Sequence, residues 1–73
     1  MKLPADLSGR DLRQALERIG FVFQRQKGSH MILRRESPTS RVVVPDHRRL
    51  RPGTLRQILH EAGIDVETLM DLL

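Results

Sequence analysis

The sequence predicts a small α+β domain in which a three-stranded antiparallel sheet carries its helices on one face, in the order α-β-β-β-α with a short extra C-terminal helix. Two observations predict this order. Apolar residues recur at helical spacing towards both ends of the chain, and three short runs rich in Val, Ile and Phe lie between them. The 73 residues suffice for one domain, so residues 1–73 are interpreted as a single unit.

The first helix is predicted within the segment SGRDLRQALERIG. Its apolar residues fall on one helical face: Leu12, Ala15, Leu16 and Ile19. Ser8 is expected to be the N-cap, with Asp11 three residues further on, and Gly20 is expected just past the C-terminal end. The segment is therefore predicted as an amphipathic helix with a cap at each end.

Three strands follow, and turn-forming Gly28-Ser29 and Ser37-Pro38 pairs separate them. The predicted strands are residues 21–26, 30–35 and 41–44. Their short connections indicate an antiparallel meander. In the second strand, Met31 and Leu33 are expected to face the helices, whereas His30 shares the opposite side with Ile32 and Arg34.

Two helices complete the predicted fold. The second begins at Pro52, ends at Gly63 and has an apolar stripe formed by Leu55, Ile58, Leu59 and Ala62. The third is short, with Asp65 as its cap and an apolar side formed by Val66, Leu69, Met70 and Leu73. Double-stranded-RNA-binding folds have the same order of elements, but a fold alone does not define a function.

The charge is concentrated in the middle of the chain. Nine Lys or Arg residues lie between Arg25 and Arg56, where only Glu36 and Asp46 oppose them, and four acidic residues follow without any base. A basic centre is typical of proteins that bind polyanions such as nucleic acid; the alternative is a solvated, salt-bridged surface. Arg outnumbers Lys eleven to two, which favours phosphate contacts because a guanidinium binds oxyanions bidentately.

The composition also excludes several classes of site. The chain has no cysteine for a disulfide or a thiolate zinc site, and its three histidines lack the spacing of a metal site. It has no glycine-rich phosphate loop, and two Phe are too few for an aromatic stacking platform. It has no apolar run of about 20 residues, and its first residues, MKLPADLSGR, lack the hydrophobic core typical of a signal peptide. We therefore expect a cytoplasmic protein without metal, cofactor or membrane contact.

The triplet Gly28-Ser29-His30 is the strongest candidate site. A histidine held just after a tight turn is able to move a proton near pH 7, and RNA cleavage requires proton transfer at the 2′-hydroxyl and at the leaving oxygen. Three nearby basic residues are candidates for phosphate contacts: Arg25, Lys27 and Arg34. Taken by itself, the triplet fits an ordinary tight turn with an incidental histidine better than it fits a catalytic site. His47 is a second candidate, either as a proton carrier or phosphate donor or as a structural loop residue.

Several motifs together resemble the HicA family, the small mRNA interferase toxins of HicAB toxin–antitoxin modules. The resemblance covers nearly the whole chain, and GSH followed by VPxH and GTLxxIL is its most specific part. The matching segments include Ser8-Gly9, Gly20-Phe21, Lys27-Gly28-Ser29-His30, Val44-Pro45-Asp46-His47, Gly53-Thr54-Leu55, Ile58-Leu59 and Ala62-Gly63-Ile64, together with Leu12, Leu16 and Arg25.

The resemblance implies a double-stranded-RNA-binding-like fold, metal-independent cleavage of mRNA, arrest of translation and growth, and neutralisation by a HicB-type antitoxin that covers the active site. The family's catalytic histidine corresponds to His30, with Gly28 and Ser29 as the supporting turn, and His47 matches a recurrent family position. Family members often have an aromatic residue or a second histidine where this chain has Met31-Ile32-Leu33. The resemblance therefore implies the family's chemistry for this chain but not its base recognition.

Two alternatives to a ribonuclease remain open from the residues alone. A non-catalytic RNA-binding module would use the same basic face and would bind RNA in a salt-sensitive way without producing new RNA ends. A protein-binding adaptor would use the exposed face of the sheet and the acidic C-terminal segment without any RNA contact.

Overall fold

Residues 2–73 form three helices and one three-stranded sheet in a computed structural model. The elements are α1 (Gly9–Glu17), β1 (Val22–Lys27), β2 (His30–Glu36), β3 (Thr39–Pro45), α2 (Pro52–Ala62) and α3 (Val66–Leu72). The sheet order is β1-β2-β3 and both strand pairs are antiparallel, which confirms the predicted order and the meander. The strands extend one or two residues beyond most of the predicted ends. β1 begins one residue later than predicted, at Val22, since the Phe21 N–H donates to the Leu16 carbonyl at the end of α1.

The ends of α1 follow the capping chemistry of the sequence. The Ser8 hydroxyl oxygen accepts a 3.0 Å hydrogen bond from the backbone N–H of Asp11, as expected of an N-cap. At the other end, the Gly20 N–H donates to the carbonyl of Glu17, and the Phe21 N–H donates to the carbonyl of Leu16. These two bonds define a Schellman motif with Gly20 at C′, which confirms its predicted position.

The other two helices also have the predicted caps. Pro52 opens α2, and Gly63 ends it in the left-handed conformation with φ of 76°. An Asp65 side-chain oxygen accepts a 2.8 Å hydrogen bond from the Thr68 N–H at the start of α3. The predicted apolar side of α3 is partly wrong, because Met70 and Leu73 are exposed whereas Leu72 packs against the core.

One hydrophobic core lies between the sheet and the helices. Its sheet members are Met31, Leu33, Val42 and Val44, which alternate along β2 and β3, and Phe21 joins them. Its helical members include Leu12, Ala15, Leu16, Leu55, Ile58, Leu59, Ala62 and Leu69. All three helices therefore cover the same face of the sheet, as predicted. Within residues 2–73, no helix combines the length and apolar character that crossing a membrane requires.

Candidate functional site

Among residues 2–73, no helix lies on the opposite side of the sheet. Strand register assigns the following residues to this side, which we call the open face: Val22, Arg25 and Lys27 of β1; His30, Ile32, Arg34 and Glu36 of β2; Thr39, Arg41, Val43 and Pro45 of β3. His30 lies on the open face as predicted, in the row formed by Lys27, His30 and Pro45. The residues of the open face thus form rows across the sheet, in which each residue is directly opposite its partner on the neighbouring strand.

A β-bulge in β1 determines which of its residues reach the open face. Phe23 pairs with Leu33, but the next pair along β2 joins Arg25, rather than Gln24, to Ile32. One additional residue in β1 reverses the alternation of its side chains beyond that point. Arg25 and Lys27 therefore lie on the same side as His30. In a regular strand, alternate residues lie on the same side. Without the bulge, Arg25 and Lys27 would therefore lie on the same side as Phe23, which is the helix side.

A two-residue turn connects Lys27 to His30. Gly28 has φ of 59°, and a Cβ built there would meet no other atom within 4 Å, so the backbone conformation and not lack of space favours glycine. A left-handed first residue is common in two-residue hairpin turns, which set the register of the strands they join. Lys27 and His30 are consequently directly opposite each other, with Cβ atoms about 4.5–5.5 Å apart as in any such pair.

The turn is attached to the segment that follows β3. The Asp46 N–H donates a 2.6 Å hydrogen bond to the Ser29 carbonyl, and the Gly9 N–H donates a 2.9 Å bond to the His47 carbonyl. The start of α1 packs so closely here that a Cβ on Gly9 would lie 1.8 Å from the Pro45 carbonyl oxygen. Three chain segments thus meet beside His30.

The Asp46 carboxylate ties these segments together. One oxygen accepts a 3.2 Å hydrogen bond from Nε of Arg10, and the other accepts a 3.2 Å bond from the Gln26 amide. The Gln26 amide also donates to the Gly28 carbonyl at 3.1 Å. The hydrogen bond from Arg10, with a smaller contribution from Gln26, lowers the pKa of Asp46 below its ordinary value. We call Arg10, Gln26 and Asp46 the turn clamp.

The predicted site residues fall into two groups. Arg25, Lys27 and Arg34 share the open face with His30, and all four side chains are exposed. His47 is exposed as well, but it lies in the loop after β3, beyond Pro45, and not on the sheet. There it lines a surface cavity with Pro45, Arg49, Leu50, Arg51 and Thr54.

Sequence reasoning missed two parts of this site. Arg41 is exposed and directly opposite Arg34 on the open face. The run RVVV has no alternation of polar and apolar residues, so only the burial of Val42 and Val44 in the structure shows which side Arg41 takes. The turn clamp has no local sequence signal either, because its three residues are distant in the chain and meet only through the bulge and the packing of α1.

The chemical capacity of the site comes from an accessible imidazole beside several cations. Such a site is able to transfer a proton next to a bound anion. In the part of the chain that the structure describes, no three His, Cys, Asp or Glu side chains are grouped to hold a metal ion. The only aromatic side chains, Phe21 and Phe23, belong to the helix side: Phe21 is buried and Phe23 pairs with Leu33.

Comparison with known families identifies the chain. Residues 9–64 match the family model described as "HicA toxin of bacterial toxin-antitoxin". The matched region is about three quarters of the 73 residues and includes both histidines of the candidate site, His30 and His47. No curated protein is significantly similar to the chain. The matched region begins with α1 and ends just after α2, so α3 lies outside it. This chain belongs to the HicA family, the toxins of bacterial toxin–antitoxin systems.

Proposed function

We propose that this toxin is an endoribonuclease that cleaves mRNA and thereby blocks translation, with the imidazole of His30 as a general acid or base. The observation that carries the proposal is the position of His30: it is exposed on the open face and directly opposite Lys27, with Arg25 in the next row. An imidazole gives or takes a proton near neutral pH, and the neighbouring cations would stabilise charge on a phosphate.

The proposed reaction needs only RNA, solvent water and the groups of this site. The 2′-hydroxyl loses its proton and its oxygen attacks the adjacent phosphorus, while the bond from phosphorus to the 5′-oxygen breaks and that oxygen gains a proton. The products are a 2′,3′-cyclic phosphate and a 5′-hydroxyl end. His30 performs one of the two proton transfers and a solvent water performs the other. Gly28 and Ser29 hold the turn before His30, and Lys27 and Arg34 contact phosphate.

Family membership supports the remaining parts of the proposal. A toxin of a toxin–antitoxin system has an antitoxin partner, and we propose one of the HicB type that covers His30. We further propose that the reaction is metal-independent and takes place in the cytoplasm, where bacterial mRNA is translated. His47 contributes a further RNA contact from the loop after β3.

Digestion of RNA by purified protein tests the proposal. Wild type should produce discrete products with cyclic phosphate ends, in the presence or absence of a chelator, and RNA with 2′-deoxy residues should resist cleavage. His30→Ala should reduce the rate by about 10²-fold or more. His60→Ala is the matched control, because His60 is exposed on α2, away from the open face. Equal cleavage by wild type and His30→Ala would remove His30 from the mechanism.

The exposed basic residues of the open face also favour a second candidate, an RNA-binding module without catalysis. In that case wild type would bind RNA in a salt-dependent way and no new ends would appear. Expression in bacteria adds an independent measurement, since His30→Ala should relieve growth arrest only if cleavage causes it.

A further inference from the structure

We infer that the open face is a binding track for a single strand of RNA, which follows the sheet from the His30 row to Arg41, and that Arg41 is its most distant phosphate contact. The inference rests on the proposed function, because a substrate at His30 must lie on this face. It adds the path of the strand and a residue, Arg41, that family membership does not assign.

The first support is the arrangement of cations in rows. Lys27 is opposite His30, Arg25 is in the next row opposite Ile32, and Arg34 is opposite Arg41 in the row beyond. Strands rise about 3.4 Å per residue, so the four residues from His30 to Arg34 separate the outer rows by about 14 Å. A single phosphate does not span this distance, whereas a short oligonucleotide does.

The second support is that the cations are available to a ligand. The four side chains of Arg25, Lys27, Arg34 and Arg41 are exposed, and none of the helices in the described part of the chain packs on this side. Arg34 has one acidic neighbour, Glu36, at 3.9 Å, and that pair is largely solvent-exposed. An exposed pair at this distance contributes little free energy, so it does not prevent Arg34 from binding phosphate.

The third support concerns the middle of the face. Ile32 is 6% exposed although it is not part of the core cluster, and its neighbours in the same row are Arg25 and Val43. The aliphatic parts of long basic side chains commonly cover such apolar residues while their charged ends stay in water. The Arg25 side chain is thus expected to lie flat on the open face, between the row of His30 and the row of Arg34.

The open face has no aromatic side chain, and this determines how selective RNA binding would be for base sequence. Phe23 packs on the helix side and Phe21 is buried. Bases therefore have no stacking platform, and the charged side chains contact phosphates that are identical in every sequence. The track should bind different unstructured sequences with similar affinity.

Binding measured without cleavage tests the track. In a His30→Ala background, the affinity for a labelled single-stranded oligonucleotide is measured by fluorescence anisotropy over a range of salt concentrations. Loss of one phosphate contact lowers the slope of log K against log salt by about 0.7, and Arg41→Ala should show this reduction. Arg56→Ala removes the same charge from an exposed position on α2, on the far side of the sheet, and should leave the slope unchanged.

Substrate length provides a second measurement, in the protein with His30 intact. The KM of wild type should fall as substrates lengthen from a dinucleotide to an oligonucleotide that reaches Arg41. In Arg41→Ala, most of this decrease in KM with length should be lost. Arg41→Lys should keep more of the decrease than Arg41→Ala does, because the charge is retained. A uniform loss at every length would show an effect on folding or on His30 itself, and would contradict the track.

The outcomes separate this inference from the proposed function. If wild type cleaves RNA through His30 while Arg41→Ala and Arg56→Ala have the same salt slope, the track is wrong and the function stands. A preference of more than about tenfold among unstructured homopolymers would also overturn the inference, since stacking or base contacts would then be required. If wild type neither binds nor cleaves RNA, both proposals fail, and the open face becomes a candidate surface for an acidic protein.

Discussion

The backbone N–H of Asp46 donates a 2.6 Å hydrogen bond to the carbonyl of Ser29, the residue immediately before His30. This bond joins the β1–β2 turn to the segment that leaves β3. The Asp46 carboxylate strengthens the same connection through Gln26, whose amide also reaches the Gly28 carbonyl. The backbone just before His30 is thus held by contacts on the side of the turn that faces α1 as well as by the hairpin itself.

If the turn clamp positions His30, Asp46→Ala should lower kcat for RNA cleavage by about tenfold and change KM little, because misplacement of a catalytic group affects the chemical step more than binding. Amide hydrogen exchange at Ser29 and His30 should become faster in the same variant.

Controls distinguish this effect from a general loss of stability. Asp46→Asn keeps an oxygen acceptor for Arg10 and should retain more activity than Asp46→Ala. Glu17→Ala removes another exposed carboxylate, one that pairs with Arg13 on α1, and should leave exchange in the turn as it is in wild type. Normal exchange and normal kcat in Asp46→Ala would show that the hairpin alone is sufficient.

The clamp should also respond to acid. Because the pKa of Asp46 is lowered in the folded protein, its contribution to stability is complete above the unfolded pKa of about 3.9 and is lost as pH falls through the lower, folded value. NMR titration of the Asp46 carboxyl carbon should therefore give a midpoint below the ordinary value. Arg10→Ala should raise it, because the largest cause is removed. An ordinary midpoint in wild type would mean that the Arg10 bond is not maintained in solution.

Three glycines should differ sharply in their tolerance of alanine. Gly9→Ala should cost about 3 kcal/mol of unfolding free energy, since its Cβ would lie 1.8 Å from the Pro45 carbonyl oxygen and α1 would have to move. Gly28→Ala should cost about 1–2 kcal/mol, because φ of 59° strains a residue with a Cβ.

Gly53→Ala is the matched comparison. Gly53 lies in the first turn of α2, and a Cβ there would meet no atom within 4 Å, so the better helix propensity of alanine should stabilise the protein by up to about 1 kcal/mol. Urea unfolding of the three variants gives the comparison. An equal cost at Gly9 and Gly53 would contradict the close approach of α1 to the end of β3.

Arg35 should be more important for stability than its neighbour Arg34. Its guanidinium donates to the Pro38 carbonyl at 2.9 Å and to the Ala62 carbonyl at 3.0 Å, and it lies 4.6 Å from the centre of the Phe21 ring. Ala62 ends α2, where carbonyl groups lack helical partners. Arg35→Ala should cost about 2 kcal/mol, and Arg34→Ala at most about 0.5 kcal/mol, by urea unfolding. Equal costs would show that these contacts contribute nothing measurable.

Local patterns were enough to predict most of the fold. Helical spacing and caps identified α1 and α2, including Gly20 and Gly63 at their ends, because these signals depend on residues a few positions apart. Alternation along β2 correctly separated Met31 and Leu33 from His30. The family motifs then led to the HicA family, which the match over residues 9–64 confirms. The apolar side of α3 was less well predicted, since a short helix that packs through few residues has a weak pattern.

The sequence by itself therefore determined the order of elements, the side of the sheet that carries His30, and the family. Only the tertiary structure decided that Arg25 and Lys27 share the face of His30 and that Asp46 reaches its turn. The bulge between Phe23 and Arg25 directs Arg25 and Lys27 to the open face. Asp46, which follows the end of β3, hydrogen-bonds to Gln26 although the two residues are 20 positions apart in the chain. The physical reason is that strand parity beyond a bulge and contacts between distant segments depend on the assembled sheet, whereas caps and periodicity are properties of neighbouring residues.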